Sequence, residues 1–290
     1  MPNPREIRRR IRGVSNMSQI TRAMEMVAAS KMRRAQERVT SGRPYADRLR
    51  AVLGDLASLQ LDPEQLREFP LLAEREVHKS ALLLITPDRG LSGALNANLL
   101  RRATHYLREE APGGEPEVIA VGKKGRDFML RTRQNVVAEF IQLGDRPSLD
   151  DIRPVAQVAI DEFLASRVDA VHMIYPQFVN TLTQRPELVQ ILPIERPEGS
   201  GERMDYIFEP DEKAVLGGIL PRYVEIQIYQ AVLDTVASFY SAQMVAMRNA
   251  TDNAKELVGD LSLSLNKARQ AQITNEVAEI SAGANAFRVD

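Results

Sequence analysis

Cysteine is absent from the 290 residues. That one gap removes disulfides, thiolate zinc sites, iron–sulfur clusters and thiol catalysis together, and it fits a reducing compartment. Long apolar runs are missing too: no stretch approaches the ~20 residues needed to cross a bilayer, and the N-terminus lacks the apolar segment of a secretory signal. The chain reads as soluble or peripheral. Its three histidines, His78, His105 and His172, are too scattered for helical ligand spacing, so no metal site is expected. No serine stands in a nucleophile elbow, because Gly90 to Gly93 (GLSG) lacks the Gly-x-Ser-x-Gly pattern. Asp150 and Asp151 are adjacent carboxylates, but Ser148 to Ile152 (SLDDI) opens a helical pattern in which acids favour the helix dipole. No catalytic, cofactor-binding or metal-ligating residue is therefore assigned.

An excess of either charge is also missing, with 38 Lys and Arg against 39 Asp and Glu, yet the charges are unevenly placed. Residues 1–50 hold 13 basic and 4 acidic side chains, and the remainder is acidic. That first segment reads as a helix. Asn3 is a capping residue, Pro4 sits where no amide hydrogen is needed, and Glu6 is placed to reach back to the cap. Ile7, Ile11 and Val14, then Met17, Ile20, Met24 and Val27, recur at spacings of three and four, which predicts one apolar stripe running to about Leu59.

The period changes in the middle. Ala81 to Thr86, Val118 to Val121, Val136 to Ile141 and Ala170 to Tyr175 are short strand-like runs with helical patterns between several of them, the signature of an α/β domain. Leu188 to Ile194, bounded by Pro186 and Pro193, suggests one more strand. After Pro221 no proline occurs, and apolar positions from Val224 to Phe287 keep helical spacing, which predicts one very long helix. Two long helices at opposite chain ends most economically bury their stripes on each other, antiparallel. The fold class is α/β, a long antiparallel coiled coil of N- and C-terminal helices plus a central Rossmann-like domain. The expected division is 1–60 for the first helix, 75–205 for the α/β domain and 209–290 for the last helix.

The remaining motifs are weak. Thr86 to Asn96 (TPDRGLSGALN) and Gly122 to Gly125 (GKKG) follow strands, where phosphate sites often form, but neither has a P-loop ending or a dinucleotide fingerprint. Structural turns are favoured over a nucleotide site. Arg5, Arg8, Arg9 and Arg12 share a helical face suited to phosphates or to a presequence, yet no aromatic residue precedes Tyr45 to stack on bases. Solvated or partner-facing charge is the preferred reading. Asn266, Lys267, Arg269, Gln270, Gln272 and Asn275 crowd a stretch where a freestanding coiled coil shows stronger apolar seams, which fits a polar partner surface and simple exposure equally. On residues alone, a nucleic-acid-binding coiled coil and a small-molecule enzyme on the α/β domain both stay open.

Several longer segments carry a resemblance. Ile20 to Met32 (ITRAMEMVAASKM), Arg43 to Ala46 (RPYA), Asp88 to Asn96 (DRGLSGALN), Arg222 to Gln230 (RYVEIQIYQ), Met244 to Asn253 (MVAMRNATDN) and Asn266 to Ile273 (NKARQAQI) resemble the gamma subunits of ATP synthases, the central shafts of rotary motors. The resemblance covers essentially the whole chain. It implies a non-catalytic rotor shaft without a cofactor, present once per complex, that couples c-ring rotation to ATP synthesis or hydrolysis at the beta subunits. The implied partners are the alpha, beta, epsilon and c-ring subunits, with no nucleic acid, and membrane association only through the complex. Met24, Arg269 and Gln270 match beta-subunit contacts, and Tyr206 and Glu209 match c-ring contacts. Gln243 stands where the family pattern has arginine, which speaks against an ionic contact there. Without cysteine, a thiol switch of the chloroplast type is excluded. The resemblance begins by about Arg5, leaving no room for a presequence, so the implied place is the cytoplasmic side of a bacterial inner membrane.

Overall fold

A computed structural model describes residues 3–57, 68–195 and 212–286. Helix α1 spans Pro4–Ala57. Asn3 caps it, its Oδ1 accepting from the Arg5 amide at 2.9 Å. Glu6 does not return to the cap as the sequence suggested; it pairs with Arg10 one turn on, at 2.8 Å.

The sheet follows. Its strands are β1 (Ser80–Ile85), β2 (Glu117–Val121), β3 (Val136–Phe140), β4 (Ala170–Phe178) and β5 (Gln184–Leu192), in the order β3-β2-β1-β4-β5. The first four pair in parallel, and β5 runs antiparallel to β4. Helices α2 (Leu95–His105), α3 (Lys123–Arg131) and α4 (Leu149–Leu164) connect them, and α2 ends in a π turn, Tyr106–Glu110. The last helix, α5, spans Glu212–Ala286. The helix start read at Ser148 is a capping box: Ser148 Oγ accepts from the Asp151 amide, and the Asp151 carboxylate accepts from the Ser148 amide.

All six residues of β1 are buried, as a central parallel strand covered on both faces must be. Leu83 and Ile85 turn toward Ile152 and Phe163 of α4 and Val224 and Ile228 of α5. Leu82 and Leu84 alternate to the opposite face. Each such leucine contributes about 1.5–3 kcal/mol through burial.

One strand departs from the sequence reading. Strand β5 starts at Gln184 and passes through Pro186, which was expected to bound it, and Pro186 stands opposite Pro176 of β4. A proline is tolerated there because β5 is the edge strand, and because β1 pairs with β4 only as far as Ile174.

The chain forms two compact units, residues 1–28 with 244–290, and residues 29–243. In the first, α1 and α5 are antiparallel neighbours: Thr21 meets Thr251, and Glu25 meets Arg248. In the second, Ala35 and Val39 of α1 pack on Leu233 and Ala237 of α5, beside the sheet.

The covered line along α1 is Ile7, Ile11, Val14, Ser18, Thr21, Glu25 and Ala28, every one buried or half-buried, at alternating steps of four and three. That is a seven-residue repeat. The sequence had continued the stripe through Met17, Ile20 and Val27, but these are 56%, 54% and 56% exposed. Counting from Val14 by threes drifts off the seam. The true seam continues through small and polar residues that hydropathy does not mark.

Candidate functional site: an exposed two-helix surface

In the unit formed by the chain ends, small seam residues let α1 and α5 approach closely and turn larger side chains outward. The Thr21 and Thr251 hydroxyls meet at 2.7 Å, and Arg248 Nε lies 2.9 Å from Glu25 Oε1. Met17, Ile20 and Val27, with half-buried Met24 between them, form a second apolar stripe on the outside of α1. Leu257 and Leu263 are exposed on α5. Apolar rows on an exposed helix face suit a partner surface.

The end of α5 is barer still. The start of α1 lies along α5 around Ala268 to Gln272, in an open groove of about 800 Å³ where Arg5 and Arg8 stand with Arg269 and Glu276. Farther on, Ile273, Val277 and Ile280 are 55%, 56% and 72% exposed at steps of four and three. Ile273 borders the groove beside the start of α1, and Val277 and Ile280 stand open beyond it.

In the other unit, charge gathers where α1 faces the loop after β3. Asp145 accepts from Lys31 Nζ at 2.6 Å and from the Tyr240 hydroxyl. Burial raises the Asp145 pKa, but the hydrogen bonds from Lys31 and Tyr240 outweigh it and hold the carboxyl below its usual range. Burial, then the bond to Asp145, pushes the Tyr240 hydroxyl well above the ordinary tyrosine range. Arg34, Arg38 and Arg146 line the same cavity of about 160 Å³ and make no ion pair among the described residues. Asp145, already engaged, leaves them free to receive an acidic partner.

The segments after β1, β2 and β3 are tied together by the side chains of Asp88 and Thr86. Asp88 accepts from the amides of Lys123 at 2.8 Å and Gln142 at 3.1 Å, and Thr86 Oγ1 accepts from the Gly125 amide at 2.8 Å. The space left beside them is about 80 Å³, well below the roughly 300–1,000 Å³ of ordinary ligand pockets. The first glycine motif is thus a structural turn, and Gly122 to Gly125 forms the N-cap and first turn of α3. Among the described residues, no three His, Asp or Glu side chains are grouped to hold a metal ion.

The sequence-assigned residues do not form one cluster. Met24 is half-buried on α1, whereas Arg269 and Gln270 are exposed on α5 beside the start of α1, about 30 Å away along the helices at 1.5 Å per residue. Gln243 is half-buried on α5. Tyr206 and Glu209 lie outside the described residues. Sequence reasoning passed over the node of Lys31, Asp145 and Tyr240, whose members are far apart in the chain and belong to no motif.

The ATP synthase family model matches residues 3–287. The ATP synthase gamma chain of Roseiflexus castenholzii is 57% identical, with 99% of each chain covered. This chain belongs to the ATP synthase gamma chain family. The gamma chain of Chloroflexus aurantiacus is 55% identical over the same shares. Among solved structures, a chain of Euglena gracilis mitochondrial ATP synthase (OSCP/F1/c-ring, rotational state 3) matches with a TM-score of 0.69 at 19% identity, covering 98% of this chain and 94% of that one. A chain of the Tetrahymena thermophila mitochondrial ATP synthase central stalk and c-ring matches at 0.61 and 21%, covering 80% and 99%. At those identities the likeness is one of fold.

Proposed function

We propose that the chain is the central rotor shaft of a proton-translocating ATP synthase, coupling c-ring rotation to ATP synthesis or hydrolysis at beta subunits and carrying no catalytic group of its own. The observation that carries this reading is the surface of the paired helices, whose outer apolar stripes and uncovered α5 end are left for partners to grip. The family membership and the central-stalk relatives support it.

One asymmetric shaft inside a three-fold ring of alpha and beta subunits meets each catalytic subunit differently. A conformation is favoured only where those contacts differ in free energy, so turning the shaft moves the preference from one subunit to the next. Arg269 and Gln270 supply exposed polar contacts to a beta subunit that break and re-form at modest cost, while Met24 meets another beta-subunit segment. The basic cavity at Arg34, Arg38 and Arg146 suits an acidic segment of the same ring. Tyr206 and Glu209 are assigned to the c ring and, with the epsilon subunit beside it, complete the foot of the shaft. The working division is 1–60 and 209–290 for the shaft and 75–205 for the globular part.

Among the described residues no helix is long and apolar enough to cross a membrane. On the family likeness, we place the chain as a single peripheral copy, held through the c ring on the cytoplasmic face of a bacterial inner membrane. Mixing the purified chain with alpha and beta subunits tests the reading: ATPase activity that appears only in the assembled complex supports it. An active chain on its own, or a chain that competent partners ignore, overturns it.

A further inference from the structure

One turn of α5 is held from two sides by directional bonds. The Ser238 hydroxyl donates to the Pro176 carbonyl at 2.9 Å, and the Ser241 hydroxyl donates to the Thr181 carbonyl at 2.7 Å. Both carbonyls belong to the hairpin of β4 and β5. Tyr240, between them in sequence, instead donates to Asp145 in the loop after β3, and Lys31 of α1 lies 5.2 Å from its ring centre and 2.6 Å from the same carboxylate. Successive helix residues are about 100° apart, so Ser238 and Ser241 share one side of α5 and Tyr240 faces away from them. Ser238 and Ser241 are wholly buried, so water competes little for their bonds; Tyr240 is 3% exposed, although its acceptor Asp145 reaches solvent.

The hairpin has the shape this role needs. Strand β4 pairs with β1 only to Ile174, yet β4 and β5 continue together to Phe178 and Gln184 as a two-stranded ribbon. Its tip is fixed, since Asn180 and Thr183 exchange backbone bonds at 3.2 Å and Asn180 Oδ1 accepts from the amides of Leu182 and Thr183 at 2.9 Å. Apolar packing is non-directional and resists rotation of a helix about its own axis poorly, whereas hydrogen bonds weaken steeply when their angles change.

We propose that Ser238, Tyr240 and Ser241 form a collar that keys α5 rotationally to the α/β domain, making them torque-positioning residues of the shaft. This rests on the shaft reading. Torque applied to the domain then enters α5 at this turn, and α5 continues unbroken to Ala286. Loss of the collar lets the helix slip under load while its apolar packing keeps the fold.

The test uses the complete complex in proteoliposomes, carrying either the double variant Ser238→Ala, Ser241→Ala or the variant Tyr240→Phe. ATP hydrolysis and ATP-driven proton uptake are measured together, with and without an opposing proton gradient. The expected result is hydrolysis close to wild type, with protons moved per ATP falling at least two-fold against the gradient and less without it. Unchanged protons per ATP in an assembled complex overturns the collar, as does a parallel fall of both activities, which marks a purely structural role. Should the serine pair prevent assembly, Tyr240→Phe, which removes one oxygen and keeps the ring, is read by the same criteria. A wild-type chain unable to support hydrolysis-linked pumping would instead undo the shaft reading, independently of any variant.

Discussion

The hydroxyls of Thr21 and Thr251 are buried against each other at 2.7 Å, although 230 positions separate them in the chain. Each also has an acceptor on its own helix, the Ser18 carbonyl at 3.1 Å and the Met247 carbonyl at 2.8 Å. The pair therefore costs the seam little and favours one register of α1 on α5, as polar seam residues do in coiled coils. Thr21→Val alone is expected to lower stability by about 1 kcal/mol, because Thr251 loses a partner in a closed site. Thr251→Val should act similarly. The double variant should cost less than the two single losses added together, since the one bond the two hydroxyls share can be lost only once. Urea titrations of the four proteins check this; strict additivity would mean that the two hydroxyls are not coupled.

Gly122 begins α3 with φ at 91°, and a Cβ there would come within 1.8 Å of the Thr86 carbonyl oxygen. Neither fault relaxes cheaply, because the obstacle is backbone. Gly122→Ala is expected to cost more than 3 kcal/mol, in the range of about 1–3 for the forced conformation with the clash on top. Gly42 makes the contrast. Its Cβ would meet only the end of the Gln230 side chain, which can swing aside, and alanine favours the helix by about 0.5–1 kcal/mol. Gly42→Ala should leave the melting temperature within a few degrees of wild type, while Gly122→Ala should fail to give a cooperative melt.

What the sequence revealed, and what it hid, follows from the range of the forces involved. Strand β1 and the helix start at Ser148 were legible because a continuous apolar run and acids gathered at a helix start write themselves into neighbouring residues. The two long helices were legible for the same reason. Their facing residues were not: Thr21 and Ala28 carry the seam through small size, and Met17 and Ile20, which hydropathy places inside, are outside. Lys31, Asp145, Ser238 and Tyr240 acquire their roles only when the chain is folded, so no spacing rule could pick them out. The functional assignment of Arg269 and Gln270 came from resemblance; their exposure is compatible with contact but does not create it.

His172 on β4 places Nδ1 2.9 Å from the Tyr106 hydroxyl, and burial holds its imidazole pKa below the ordinary value near 6.5. Between the lowered folded pKa and the ordinary one, the unfolded chain binds the extra proton. The stability that neutral His172 contributes is therefore fully present above about pH 6.5 and is lost as the pH falls through the folded value. Urea midpoints should drop between pH 7.5 and pH 5, and His172→Gln should flatten part of that drop. An identical pH profile in the variant would assign the loss to other groups.

Arg269 and Gln270 are exposed on α5 next to the start of α1, so cutting both back to alanine removes no packing from the chain itself. The isolated protein should melt as wild type, since surface changes of this kind usually stay within about 0.5 kcal/mol. In the assembled complex the same change removes polar contacts with the ring. If those contacts favour one rotational state over another by about 1 kcal/mol, turnover should fall about fivefold. The apolar stripe just beyond gives an independent check, because Ile273, Val277 and Ile280 can contribute only where a partner covers them. Replacing all three with serine should likewise spare the isolated fold and weaken retention of the chain by the complex. Turnover unchanged in the first variant and retention unchanged in the second would together mean that no partner grips this end of α5.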